Sequence, residues 1–214
     1  MVEKIIHQIV GPRQTRLVAH CLRSWHILAG REFSIRIWND NTINSFIAEH
    51  FPFALPALLH ARNHGEASDI ARYLIIHHFG GYYMDWDIEL LDADAFEQLG
   101  SAAPEGFLVT DPFNDTLASE CFAAVTGEAY LLSLAKDIVD LYNSGLRDNY
   151  KTPQYSGPYR MKDSFQLHNN SSQRLIPVND VFVYNYREIR AMPKRTATQP
   201  LIHYWAHSWL QPGH

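Results

Sequence analysis

The 214-residue sequence lacks any long hydrophobic run, since the longest candidate, residues 51–59, is interrupted by two prolines. About 18 consecutive apolar residues are needed to span a bilayer, so no membrane-spanning helix is predicted. Residues 1–7 also lack the long apolar segment of a secretory signal peptide. We therefore expect a soluble, cytoplasmic protein.

Cysteine and positive charge are scarce as well. The two cysteines, Cys21 and Cys121, are far apart in sequence and build no disulfide framework, which favours a reducing compartment. Lys and Arg total 18 against 23 Asp and Glu, giving a net charge of -5. Nucleic-acid binders usually show a basic excess, so we expect no nucleic-acid partner. An anionic ligand would then need helix amino termini, a few placed arginines or a bound cation.

Three common catalytic motifs are absent. The sequence contains no Gly-x-Ser-x-Gly turn, no phosphate-loop lysine motif and no dinucleotide-binding glycine fingerprint. These absences exclude the common serine hydrolases, most nucleotide triphosphatases and the usual Rossmann dehydrogenases.

The hydrophobic pattern indicates an α/β protein. A hydrophobic content of 46% with 19% charged residues is typical of a globular chain, and the length allows one domain over residues 1–214. Strand and helix patterns alternate, which favours a mostly parallel sheet flanked by helices. We predict strands at residues 4–10, 33–38, 82–91, 107–110, 182–184 and 201–204, and helices at 17–28, 66–79 and 130–142. Residues 144–172 show no readable element.

The tripeptide from Asp85 to Asp87 is the first candidate site. These two carboxylates interrupt the strand predicted at residues 82–91, and they follow Gly80-Gly81. Two acids at the end of a core strand repel each other and are costly to desolvate without a cation. Oxygen ligands favour Mg²⁺ or Mn²⁺. The alternative is an acidic strand end exposed to water. The second such pair, Asp92 and Asp94, lies in a polar stretch that predicts a solvated turn.

Two further groups could contribute to a site. Asp69 and Arg72 are three residues apart on the predicted helix and share a face, either as a surface ion pair or at the ligand crevice of an α/β sheet. In that crevice, Asp69 could accept hydrogen bonds from sugar hydroxyls, and Arg72 could donate to hydroxyl or phosphate oxygens. Residues 203–209 contain two histidines and two tryptophans, which suit either metal binding and ring stacking or simple packing.

These motifs together resemble a known family. Residues 68–73 and 80–87 are similar to the DXD-containing sugar-binding region of glycosyltransferase family 32, which includes yeast mannosyltransferases and capsular polysaccharide enzymes. The clostridial glucosylating toxins share its core. Residues 4–9 look like the family's first strand, and residues 203–209 resemble its closing motif. Two positions depart from the pattern: Val10 replaces an aromatic residue, and His207 replaces a small one.

The resemblance implies a GT-A fold, Rossmann-like with a mixed sheet, and a retaining hexosyltransferase that uses Mn²⁺ or Mg²⁺. The donor would be a UDP- or GDP-linked sugar, and the acceptor a glycan or a lipid-linked saccharide. With a lipid-linked acceptor, the enzyme could associate peripherally with the inner membrane face. By position, the metal ligands would be Asp85, Asp87 and His203. The same matching assigns binding of the donor sugar to Asp69, Arg72 and Asp85. It places His7, Gln8 and Ile9 near the nucleotide base. It places Ser208 and Trp209 on a tail that closes over the diphosphate and the sugar.

Two other functions are compatible with parts of the sequence. A non-catalytic sugar-nucleotide or glycan-binding module would keep the fold without needing an intact metal site. A phosphohydrolase of the haloacid-dehalogenase type also carries an Asp-x-Asp pair and binds Mg²⁺. That motif normally lies on the first strand and is followed by Thr or Val, whereas Ile88 and Glu89 follow here in the middle of the chain.

Overall fold

The computed structural model describes residues 1–12, 14–194 and 196–206 of the chain. Its strands are β1 (Ile5–Ile9), β2 (Ser34–Trp38), β3 (Gly81–Met84), β4 (Ile88–Leu90), β5 (Gly106–Asp111), β6 (Thr116–Ala124), β7 (Arg174–Pro177) and β8 (Leu201–His203). Its α-helices are α1 (Arg16–Ser24), α2 (Asp40–His50), α3 (Leu55–Leu59), α4 (His64–Phe79), α5 (Ala93–Ala102), α6 (Ala129–Asn143), α7 (Thr152–Tyr155), α8 (Pro158–His168) and α9 (Val178–Val181).

Six strands form a mixed sheet in the order β2-β1-β3-β6-β5-β7. The pairs β1–β2, β1–β3 and β5–β7 are parallel, whereas β6 runs antiparallel to both of its neighbours. A separate antiparallel pair joins β4 to β8. The predicted α/β architecture with a mostly parallel sheet is therefore confirmed.

Helices cover both faces of the sheet, because the central strands send apolar side chains to both sides. Successive residues of a strand point to opposite faces, so Tyr83 packs with Phe122 and the α4 side of the core. Its neighbour Tyr82 packs with Phe96 and Phe107 on the other side. Burial on both faces is the usual condition of strands in the centre of an α/β sheet.

Helix α4 carries part of the site, and it begins two residues earlier than the sequence predicts. The side chain of Asn63 caps it by accepting a hydrogen bond from Glu66 N, so Ser68 lies inside the helix and is not its cap. The helix ends at Phe79, as predicted. Gly81 follows with φ of 95°, and a Cβ there would lie 2.5 Å from Ile5 O. Only glycine allows β3 to start this close to β1.

The structure corrects other parts of the sequence prediction as well. Strand β6 has no predicted counterpart, because its residues are buried on both faces and show no alternation of polar and apolar positions. Residues 144–172, which show no readable element, contain α7 and α8. The strand predicted at residues 182–184 is wrong, since only Phe182 forms an isolated bridge, to Leu201, directly after α9.

Among the residues that the structure describes, no helix is both long enough and apolar enough to cross a membrane.

The buried His7 on β1 generates a prediction about acid stability. Burial, with a smaller contribution from Arg36, lowers the pKa of His7 to about 3, and its Nδ1 accepts a hydrogen bond from Trp38 Nε1 (3.1 Å). An unfolded histidine titrates near pH 6.5, so His7 contributes stability that is present above about pH 6.5 and is lost as the pH falls towards 3. Between pH 7 and pH 4.5, we expect the His7→Phe variant to lose about 2 kcal/mol less free energy of unfolding than the wild type.

Denaturant unfolding at both pH values measures this difference, and the same change at the exposed His26 is the control. If the free energy of unfolding fell equally between pH 7 and pH 4.5 in the wild type and in His7→Phe, the lowered pKa of His7 would be contradicted.

Candidate functional site

The two DXD carboxylates lie at a sharp turn between the main sheet and the small one. Strand β3 ends at Met84, and Asp85 N still donates a hydrogen bond to Glu120 O on β6 (2.9 Å). The chain then turns, with Ile88 N donating to Asp85 O (3.1 Å), and continues as β4. The strand predicted at residues 82–91 is thus two strands in two sheets, and the acidic residues occupy the connection.

Strand β8 brings the third member of the site to this turn. Ile88 and His203 are paired residues of the β4–β8 ladder, which places His203 Nε2 3.3 Å from Asp87 Oδ1. One ligand-capable atom from each of Asp85, Asp87 and His203 lies within 4.8 Å of the others. Within the described part of the chain, this is the group of three such side chains that could hold a metal ion.

The charges of these residues fit a divalent cation. Asp87 is buried, and burial alone would raise the pKa of this carboxyl group, but His203 and a hydrogen bond from Ala206 N (2.7 Å) hold it below its usual value. Burial also opposes protonation of His203, yet Asp87 and Glu120 raise the pKa of the imidazole to about 10. Carboxylate oxygens and an imidazole nitrogen match the ligand preferences of Mn²⁺, and Mg²⁺ accepts the oxygens.

Asp69 and Arg72 form a buried pair next to this group, so the surface ion pair considered from the sequence is wrong. Each residue is 5% exposed, and Arg72 Nη2 lies 3.3 Å from Asp69 Oδ1. Arg72 Nη1 donates to Ser119 O (2.7 Å) and lies 3.2 Å from Asp85 Oδ1, so one guanidinium connects both acids.

Hydrogen bonds hold the two acids in place and keep Asp69 ionised. Ser156 Oγ donates to Asp69 Oδ2 (2.7 Å), and Tyr83 Oη donates to Asp85 Oδ1 (2.7 Å). Burial raises the pKa of Asp69 to about 6, while Arg72 and Ser156 limit the rise, so the carboxylate is charged at neutral pH. Burial also raises the pKa of Asp85, with Arg72 opposing it.

Two adjoining cavities open onto these residues. The first, of about 120 Å³, is lined by Asp69, Arg72 and His64. The second, of about 410 Å³, is lined by Asp87 and His203. Asp85 and Trp86 line both cavities, so the DXD turn separates one cleft into two compartments at the carboxyl end of β3.

Of the other residues that the sequence predicts to bind substrate, only some lie at the cleft. Ile9 lines the first cavity, but His7 and Gln8 are fully buried within the sheet and do not line either compartment. Ser208 and Trp209, assigned to the closing tail, lie outside the described residues, as does His207. Their roles stay predictions.

Several cleft residues have no signal in the sequence. Glu120 and Ser119 come from β6, and Ser156 lies between α7 and α8, all in segments that the hydrophobic pattern did not identify. Trp205 lines the larger cavity, but nothing in its spacing separates it from a packing residue. Contacts between distant segments of the folded chain bring these side chains to the cleft.

The fold and the cleft have the features that the resemblance predicts. A mixed α/β sheet carries an Asp-x-Asp turn, a neighbouring histidine and a buried Asp–Arg pair in one cleft. Residues 16–102 match the family described as "Glycosyltransferase sugar-binding region containing DXD motif". The predicted family resemblance is therefore confirmed over residues 16–102, a range that includes Asp69, Arg72, Asp85 and Asp87.

Two curated relatives come from Schizosaccharomyces pombe. The chain is 32% identical over 92 residues to inositol phosphoceramide mannosyltransferase 1, covering 41% of this chain and 28% of the relative. It is 30% identical over 56 residues to inositol phosphoceramide mannosyltransferase 2, covering 26% of this chain and 16% of the relative. The chain thus spans less than a third of the length of these relatives.

Solved structures share the fold at low sequence identity. The PaToxG glycosyltransferase superposes with a TM-score of 0.55 at 14% identity, covering 78% of this chain and 70% of that chain. The apo form of the glycosyltransferase GlyE of Streptococcus pneumoniae TIGR4 gives 0.54 at 12% identity, covering 96% and 55%. Both matches support the α/β GT-A-like fold.

The buried Asp69–Arg72 pair generates a stability prediction. We expect Arg72→Gln to lower the free energy of unfolding by about 3 kcal/mol, because it leaves the buried carboxylate of Asp69 and the half-buried carboxylate of Asp85 without their guanidinium. Arg23→Gln, on the exposed side of α1, should change it by less than about 0.5 kcal/mol. Denaturant unfolding measures both.

Adding Asp69→Asn to Arg72→Gln should recover part of the loss, because the uncompensated charge is then removed. If Arg72→Gln were as stable as Arg23→Gln, the pair would contribute nothing to the fold.

Proposed function

We propose that this chain is a metal-dependent glycosyltransferase. It transfers a sugar from a UDP- or GDP-linked donor to a hydroxyl group of a glycan or lipid-linked acceptor. The observation that carries the proposal is the meeting of Asp85, Asp87 and His203 beside the buried Asp69–Arg72 pair in one cleft. The match of residues 16–102 to the DXD sugar-binding region supports the same activity. We also propose that residues 1–214 form one catalytic domain.

Asp85, Asp87 and His203 would hold Mn²⁺ or Mg²⁺. When bound, such a cation neutralises the charge that develops on the departing diphosphate. The chain's own contribution is a rigid ligand set: Arg72 and Tyr83 restrain Asp85, and Ala206 N restrains Asp87. Ligands that are already oriented need no rearrangement as the reaction proceeds.

Asp69 and Arg72 would bind the hydroxyl groups of the donor sugar. Arg72 Nε donates to Ser68 O (3.2 Å), and its contacts with Ser119, Asp69 and Asp85 fix the plane of the guanidinium. A carboxylate can accept about four hydrogen bonds, and Asp69 receives contacts from Arg72 and Ser156. Its remaining acceptor capacity faces the first cavity, where a sugar hydroxyl can donate.

The cleft also offers apolar surface that can exclude water from the reacting bond. Trp86 lines both compartments, and Trp205 lines the larger one, with its ring centroid 4.1 Å from that of His203. We propose, from the family resemblance, that Ser208 and Trp209 close over the diphosphate. Closure would limit wasteful hydrolysis of the donor.

The family resemblance also favours retention of the anomeric configuration. We propose a front-face displacement, in which the acceptor hydroxyl attacks beside the leaving phosphate. A glycosyl-enzyme adduct trapped on one specific carboxylate would contradict this mechanism.

Two other functions are less well supported. A non-catalytic sugar-nucleotide or glycan-binding module would not require a complete metal site, yet all three ligand side chains are present and mutually close. In a haloacid-dehalogenase-type phosphohydrolase, the Asp-x-Asp pair lies on the first strand. Here it follows β3, the third strand along the chain.

The activity can be tested by release of UDP or GDP from a panel of nucleotide sugars in the presence of Mn²⁺. We expect release from one of these donors, and we expect Asp87→Ala to reduce it by about 100-fold or more, the loss typical of removing a group that stabilises transition-state charge. The control is Asp94→Ala in the second Asp-x-Asp pair, which is exposed and forms an ion pair with Arg31.

Thermal-shift measurements with and without Mn²⁺ identify the donor independently of turnover, because a ligand that binds the folded state raises its melting temperature. Donor binding without turnover would favour the binding-module function. A wild-type protein that neither binds nor cleaves any donor would contradict the proposal.

A further inference from the structure

Glu120 lies beside the candidate metal site but is not part of the DXD motif. It belongs to β6, its backbone carbonyl accepts the hydrogen bond from Asp85 N, and its side chain is 16% exposed at the wall of the larger cavity. The backbone of Glu120 therefore supports one metal ligand, and its carboxylate faces another.

His203 presents one ring nitrogen to each of two acids. Nε2 lies 3.3 Å from Asp87 Oδ1, while Nδ1 lies 3.6 Å from Glu120 Oε1. Among the described residues, Nδ1 is a buried polar atom without a hydrogen-bond partner. A buried nitrogen without a partner is costly, and 3.6 Å is an ion-pair distance that a small side-chain rotation converts into a hydrogen bond.

We propose that Glu120 is a positioning residue that accepts the Nδ1–H proton of His203 and thereby directs Nε2 towards the cation site. The inference rests on the proposed function, because it gives His203 the role of a metal ligand. A histidine that binds a metal through one nitrogen usually donates its other N–H to a carboxylate or carbonyl oxygen, which fixes both the tautomer and the ring orientation. Glu120 is the carboxylate placed to accept from Nδ1.

The position of His203 explains why it needs such a partner. Its backbone is held by the three-residue strand β8, and its ring packs against Phe182 and Trp205. Ring stacking restricts the tilt of an imidazole but does not choose which nitrogen carries the proton. An acceptor at Nδ1 keeps a proton on that nitrogen, so that the Nε2 proton is the one a bound cation would replace.

Asp111 provides a matched control. It lines the same cavity and carries the same charge, but its Oδ1 accepts from Phe113 N (2.9 Å) and Asn114 N (3.3 Å) in the β5–β6 connection. Asp111→Asn removes one negative charge from the cleft without touching His203. Comparing variants at Glu120 and Asp111 separates the effect of orienting His203 from the effect of removing one negative charge from the cleft.

The test is a double-mutant cycle on Mn²⁺ affinity, measured by electron paramagnetic resonance of free Mn²⁺ without any nucleotide sugar. We expect Glu120→Ala to raise the Kd for Mn²⁺ by about 10- to 100-fold, and Glu120→Gln to raise it less because the amide oxygen still accepts a hydrogen bond. In a His203→Ala background, Glu120→Ala should change the Kd by less than about threefold. Asp111→Asn should also have an effect below about threefold.

Three results would overturn the proposal, provided that circular dichroism shows each variant folded. Wild-type affinity in Glu120→Ala would mean that the carboxylate does nothing for the site. If Glu120→Ala lowered the Mn²⁺ affinity equally in the wild-type and His203→Ala backgrounds, Glu120 would be a direct metal ligand. If Asp111→Asn lowered the affinity as much as Glu120→Ala, Glu120 would act only through its negative charge. If Glu120→Ala does not fold, the double-mutant cycle with His203→Ala is measured with Glu120→Gln. A wild type that binds no Mn²⁺ would instead remove the proposed metal site itself.

Discussion

The structure of the cleft depends on keeping two carboxylates side by side, a half-buried one on Asp85 and a buried one on Asp87. Two acids this close repel each other, and burial makes the charged form of each more costly. The protein offsets this cost with one cation on each side: Arg72 lies 3.2 Å from Asp85, and His203 lies 3.3 Å from Asp87. A divalent cation would serve the same electrostatic need from the cleft side.

The sheet topology puts these compensating charges in place. Helix α4 delivers Arg72 because Gly80 and Gly81 let the chain pass directly from that helix into β3, beside β1. The short β4–β8 ladder delivers His203 from the far end of the chain. Neither contact is local, so the cleft forms only when the main sheet and the small sheet are both assembled.

The cleft carries more acidic than basic side chains, in keeping with the net charge of -5, so an anionic diphosphate there would need a bound cation. One arginine, Arg72, is buried beside the acids. Asp69, Arg72 and Asp85 make a fixed polar surface, and such preorganised dipoles in a secluded cleft act more strongly than they would in water.

Local signals were enough to predict an α/β fold, the helix that carries Asp69 and Arg72, and an acidic interruption at Asp85 and Asp87 after an apolar strand. The start of the helix predicted at residue 66 was two residues late, since the side chain of Asn63 caps a helix that begins at His64. The folded chain was needed to show that the Asp69–Arg72 pair is buried, that His7 and Gln8 lie within the sheet, and that Glu120 faces His203. These features depend on strand pairing between distant segments, and β6 in particular, buried on both faces, has no periodic pattern that reveals it.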